Sequence, residues 1–270
     1  MKAVSTPSVL LGTTLLVATA LAWPFAAHPT ARAEAGIREV ISSRDKARYQ
    51  TWKDEFLATE TGRREWQAYA QDPRLLLTIA TSLDNRFGAG IGQYEWNRSG
   101  QLTAATITLG ARLDQHYPEP VYYPVLNALK HSELPNVLGP SVLAAAKMAH
   151  EFGHLRRMTS TDAEVYRLQT ELVPSYNAII RNNGRNTRDP RLQDLVRRMG
   201  GTPMEIWEDR EYWGETNALL YLRDRIPDGA LQCSLFSSIL KNVDTYADKA
   251  YRSRFADIAE SPAARSHCAR

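Results

Sequence analysis

Residues 143–158 read LAAAKMAHEFGHLRRM, and within them two histidines four apart, His150 and His154, enclose Glu151. On a helix, side chains at i and i+4 share a face one turn apart, about 5–6 Å between Cβ atoms. Two imidazoles so placed can offer nitrogens to one divalent ion, for Zn²⁺ at about 2.0–2.1 Å. Glu151 follows the first histidine, so its carboxylate stands beside the metal rather than on it. There it can take a proton from a water that the metal has activated. The bland alternative is three polar residues on an ordinary helix. With six histidines in the chain, chance supplies this pattern in roughly one such sequence in a hundred. The uncharged neighbours Ala149, Phe152 and Leu155 suit a buried catalytic helix better than a solvated face. Gly153 costs about 1 kcal/mol in a helix interior relative to Ala. A small residue there makes room for a second element beside the motif.

Two imidazoles need a third partner. Asp162 and Glu164 follow closely, but Thr161-Asp162-Ala163-Glu164 has the form of a capping box, which explains both as helix-start residues. Asp162 stays a candidate if the site is of an aspartate type; Glu171 has no companion signal. The richer segment is MEIWEDREYWGETNALLYLRDR, residues 204–225. Glu211 and Glu215 lie four apart there, on a helical face shared with Met204, Trp207, Ala218 and Leu222. A carboxylate on an apolar face is costly to bury without a partner, and a cation would be one. Glu208, with basic neighbours, reads as a surface ion pair, and an exposed run of helix charges is the bland reading of the whole segment. An oxyanion donor is also needed; Tyr212, Tyr221, Tyr123 and His131 are all available, and the sequence does not choose among them.

His150-Glu151-Phe152-Gly153-His154 resembles the zincin superfamily of zinc metallopeptidases. The resemblance implies that His150 and His154 bind zinc and that Glu151 activates water. It also implies an edge strand above the helix for extended substrate, and TAATITL, residues 103–109, is the available candidate. The metzincin branch is excluded, because LRRMTST after His154 has no Gly at the third position and no His at the sixth. Glu211-Tyr212-Trp213-Gly214-Glu215 is similar to the third-ligand pattern of the glutamate-type zincins, the gluzincins. That likeness implies that Glu211 ligates, that Gly214 lets the helices approach, and that Glu215 accepts the N–H of a ligand histidine. In the other register Glu215 ligates and Ala218 is the small residue. The expected activity is that of a zinc metallopeptidase acting on a peptide or protein. The alternative is a non-catalytic exported protein, with a structural zinc or a peptidase-like scaffold that binds a partner.

Other elements must position these residues. Lys2, the uncharged run VLLGTTLLVATALAWPFAA and Ala31-Arg32-Ala33 read as a cleavable secretory signal over residues 1–33, with an uncleaved membrane anchor as the alternative. The mature chain is then periplasmic or secreted, with no membrane span. Loss of Lys2 and Arg32 lowers the net charge from +3 to +1, which gives no reason to expect nucleic acid. In an oxidising compartment Cys233 and Cys268 can pair and tie down the tail. Residues 34–90 read as a helical region with Trp52, Phe56, Trp66 and Tyr69 as a core stripe. Residues 91–270 read as the metal-binding region of the same compact domain. Asn97-Arg98-Ser99-Gly100 predicts a hairpin turn, and YPEPVYYPVLNAL, residues 117–129, predicts an extended loop. Helices follow from Gly139 onward: one kinked at Pro174 and ended by Gly184, one from Asp189-Pro190 to Gly200, one from a capping box at Thr202 to Arg225, and a last amphipathic one. The fold class is α+β, a mostly α-helical, zincin-like domain with a small antiparallel sheet or hairpin before the motif helix.

Overall fold

The computed structural model describes residues 36–84, 86–117, 124–130, 132–160, 162–183, 188–226 and 229–243. The signal segment, Tyr123, His131, Thr161, Gly184 and Cys268 lie outside them. Strand β1 (Gly36–Val40) is followed by α1 (Lys46–Leu57), α2 (Glu60–Ala70), β2 (Leu76–Thr81), β3 (Ala89–Trp96) and β4 (Leu102–Leu109). Helices then take over: α3 (Pro124–Lys130), α4 (Leu134–Leu138), α5 (Ser141–Ser160), α6 (Asp162–Arg167), a π-helical turn (Leu168–Leu172), α7 (Val173–Asn183), α8 (Pro190–Met199), α9 (Pro203–Arg225) and α10 (Gly229–Val243). The class is therefore α+β.

The sheet differs from expectation. Its order is β1-β2-β4-β3, with β1–β2 and β2–β4 parallel and only β3–β4 antiparallel. It is a mixed four-stranded sheet rather than a small antiparallel one. The region 34–90 contributes β1, β2 and the start of β3 as well as its two helices. The reason lies in β2: Leu77, Thr78 and Ile79 are buried in succession between parallel neighbours. A strand covered on both faces loses its alternation and reads like a helix segment. The β3–β4 hairpin forms as expected. Asn97 Oδ1 accepts from the backbone N–H groups of Ser99 and Gln101, and Gly100 takes φ +79°. TAATITL, however, belongs to β4 and is interior; the edge strand that packs on α5 is β3.

Helix α5 is buried on all sides from Val142 through Ala149 and Phe152 to Leu155, as expected for an element at the centre of a core. The N-terminal aromatics cover one flank. Phe56 stacks on Phe152 at 5.2 Å between ring centres, and Tyr69 lies 5.8 Å away. Helix α9 crosses the other side, and its start is fixed by the expected capping box: Thr202 accepts from the Glu205 N–H while Glu205 accepts from the Thr202 N–H. The predicted loop over 117–129 ends in a helix instead. Pro124 opens α3, where a missing N–H costs nothing, and Val125, Leu126, Ala128 and Leu129 are buried. Pro174 lies two residues past the end of the π-helical turn, a local widening suited to a residue with no N–H to donate.

Candidate metal centre

The motif helix places His150, Glu151 and His154 in the interior, each less than a tenth exposed. One nitrogen of each imidazole and one Glu151 oxygen lie within 4.8 Å of one another. Helix α9 brings Glu211 to the same point: its Oε2 is 3.1 Å from His150 Nε2 and 3.5 Å from His154 Nε2. Tetrahedral ligation with bonds of about 2.0–2.1 Å separates ligand atoms by roughly 3.3–3.4 Å. Both Glu211 separations fall near that spacing, and a nitrogen of each imidazole lies within 4.8 Å of the other's. The imidazoles meet edge to face, with ring centres 4.6 Å apart and planes at 90°.

The outer ring nitrogens are also fixed. His154 Nδ1–H donates to the Arg210 carbonyl at 2.9 Å, which leaves Nε2 with its lone pair toward the centre. His150 Nδ1–H donates to Glu215 Oε1 at 3.0 Å, and Glu215 Oε2 accepts the Val125 N–H at 2.5 Å. Glu215 thus lies behind the histidine, and Glu211 faces the centre. Such an outer carboxylate orients the ring and raises its basicity. Glu171 is not among the described residues lining this centre, and the Asp162 side chain lies outside the described ones.

The close approach depends on two glycines. A Cβ at Gly153 would sit 2.3 Å from the Trp213 carbonyl and 2.8 Å from Gly214 Cα. A Cβ at Gly214 would sit 2.6 Å from His150 Nε2. Asn217 completes the crossing by donating to the Ala149 carbonyl at 2.7 Å.

Burial pulls the His150 imidazolium down, but hydrogen bonds to Glu211 and Glu215 outweigh it and lift its pKa to about 10. Burial would raise Glu211, yet the adjoining imidazoles, above all the His150 Nε2–H that donates to it, hold it far below the usual carboxylate range. Burial and then the His150 charge lower His154. His150 is raised above its ordinary 6.5, so the metal-free folded chain holds a proton on Nε2, the atom a metal would take, over the whole pH range below about 10. Zinc uptake by stripped protein at pH 8 should release about one proton from this residue, and affinity should rise about tenfold per pH unit across that window. Calorimetry in buffers of different ionisation heat checks this; uptake without proton release contradicts it.

A cavity of about 170 Å³ opens beside the centre, lined by Glu151, Tyr117, Lys147, Arg210 and the edge-strand residues Ala89 and Gly90 among others. Glu151 Oε2 is buried and has no hydrogen-bond partner among the described residues. Lys147, one turn before His150, donates to the carbonyls of Phe87, Leu113 and Gln115 at 2.6, 2.9 and 2.7 Å. It ties both neighbouring loops to the motif helix. Of the oxyanion candidates, Tyr221 is committed to Glu55 at 2.9 Å and Tyr212 is buried away from the lining. Tyr117, which the sequence did not single out, lines the cavity instead. Burial, and then the charges of Glu151, Glu215 and Glu211, raise its hydroxyl and keep it a donor. Lys147 was visible as the one charge in LAAAKMA; Tyr117 and Arg210 carried no local signal.

No protein-family model, curated protein or solved structure matches this chain. What it can do must be argued from the centre itself.

Proposed function

We propose that this chain is a zinc-dependent hydrolase of the gluzincin type, a metallopeptidase that works after export. The observation that carries the reading is the unpartnered Oε2 of Glu151, buried beside a tripod of His150, His154 and Glu211. Burying a carboxylate oxygen with no partner is costly; a general base awaiting a water is one reason to keep it. Zinc, when held by the tripod, would polarise the scissile carbonyl and acidify a water. The chain's own residues do the rest. Glu151 takes the water's proton and passes it to the leaving amine, Tyr117 offers its hydroxyl to the developing oxyanion, and Glu215 keeps His150 in the ligating tautomer.

Extended substrate would pair with β3 over Ala89–Gly92. Added side chains at Gly90 and Gly92 would meet nothing within 4 Å, so the strand surface there is bare. Beyond it a bulge with Gln93 at φ +51° ends the regular edge, so the paired stretch is short. A structural zinc would need four protein ligands; in this reading His150, His154 and Glu211 ligate, and Glu151, within 4.8 Å of the imidazole nitrogens, borders the cavity as the base rather than closing the set. Export is supported by the disulfide at Cys233. No helix among the described residues is long and apolar enough to cross a membrane.

The test is hydrolysis of a peptide mixture, read by mass spectrometry. Chelation should lower cleavage more than about a hundredfold, and stoichiometric zinc should restore it. Cleavage that survives complete metal removal rejects the proposal.

A further inference from the structure

Arg210 stands out among the cavity's walls. It immediately precedes Glu211 on α9, and its carbonyl holds His154, so the origin of its side chain is fixed relative to the metal tripod. Yet the guanidinium has no hydrogen bond or ion pair among the described residues, and its Nε is buried without an acceptor. The neighbouring carboxylates do not serve it: Glu211 is turned to the two imidazoles, and Glu215 to His150 and the Val125 N–H. Other arginines on this helix are paired, Arg225 with Glu55 and Arg223 with Asp224. An arginine that lines a cavity and has no acceptor among the described residues can take an anion from outside the chain. A planar fork of donors matches a carboxylate two bonds at a time.

From this we infer that Arg210 is a specificity-determining residue that receives a carboxylate of the bound peptide beside the scissile bond. The inference rests on the peptidase reading, in which the anion a substrate carries is its own carboxylate. That group is either the free C-terminus or an acidic side chain. The short regular edge of β3 adds a second argument. Few backbone pairs are available along Ala89–Gly92, so a strongly bound end group must supply much of the selectivity.

The test is capture rather than turnover. Zinc-loaded Glu151→Gln protein, immobilised as the full chain, is offered an equimolar mixture of randomised tetrapeptides made as free acids and as C-terminal amides. A second mixture, all amides, contains Glu or Gln at matched positions. Bound peptides are counted by mass spectrometry. Enrichment of carboxylate-bearing peptides of about tenfold or more is expected. The first mixture shows whether the C-terminus supplies the group, and the second whether a side chain does. Adding Arg210→Gln should bring the preference below about twofold, while Arg210→Lys, with its point charge, should keep part of it. Zinc content reports that each variant keeps its centre. Because no bond is cleaved, failure of Glu151 as a base leaves this result readable. Equal capture of acids and amides, capture of no peptide, or a preference that persists in Arg210→Gln, as when the carboxylate binds zinc directly, overturns the inference.

Discussion

Gly214→Ala should abolish zinc binding at the proposed centre while leaving the helices folded. The added methyl group would stand 2.6, 2.7 and 2.8 Å from Nε2, Cε1 and Cδ2 of His150, along the ring edge that faces Glu211. The ring cannot swing clear, because its other nitrogen is tied to Glu215, the residue next to the new methyl. Two effects on stability oppose each other. Alanine is favoured over glycine by about 1 kcal/mol in a helix interior, and overpacking costs about 1–3 kcal/mol. The net change in the metal-stripped fold is therefore small, about 0–2 kcal/mol of destabilisation. The metal has no such compensation. With Nε2 displaced, one of three ligands is lost, and zinc affinity should fall by at least about a hundredfold. Zinc titration beside thermal unfolding separates the two effects. Tight zinc binding in Gly214→Ala would mean that His150 does not point where α9 crosses.

Glu151→Gln should have the opposite signature: metal retained, hydrolysis lost. Glutamine has nearly the shape of glutamate, and the side chain donates to no ligand histidine, so the tripod of His150, His154 and Glu211 is untouched. What disappears is a group that can accept a proton. A positioned general base contributes about 10²–10⁴-fold, and the peptide-cleavage rate should drop by that factor with zinc content unchanged. A variant that cleaves at the wild-type rate removes Glu151 from the mechanism. One that loses its zinc makes Glu151 a ligand instead.

The centre was legible in the sequence to the extent that its geometry is local. His150 and His154 are one helical turn apart, so their convergence needs only a helix, and Gly153 and Gly214 announce a close crossing by being poor helix formers in long helices. Glu211 and Glu215 were legible as carboxylates on an apolar face, but which of them faces both imidazoles depends on how α9 is rotated against α5. That rotation is set by packing, including the Asn217 bond to Ala149, which no spacing rule supplies. The cavity's other groups were illegible for the same reason. Lys147 meets carbonyls 60, 34 and 32 residues away, and Tyr117 and Arg210 reach the centre only once the sheet, α5 and α9 are assembled. In the fold, the hairpin and the capped helices α8 and α9 carry their own turn and cap chemistry. Strand β2 does not, because burial between two parallel neighbours erased the alternation that would have marked it.

The central claim is that one zinc ion is gripped by His150, His154 and Glu211, with Glu215 behind. It is tested most directly by metal content, measured by mass spectrometry on the purified mature chain and on His150→Ala, Glu211→Ala and Glu215→Ala. About one zinc per chain is expected in the wild type, and none in His150→Ala or Glu211→Ala. Glu215→Ala should keep its zinc at saturation but bind it about 10–100-fold more weakly. Equal zinc in all four proteins would place the metal somewhere else and contradict the account.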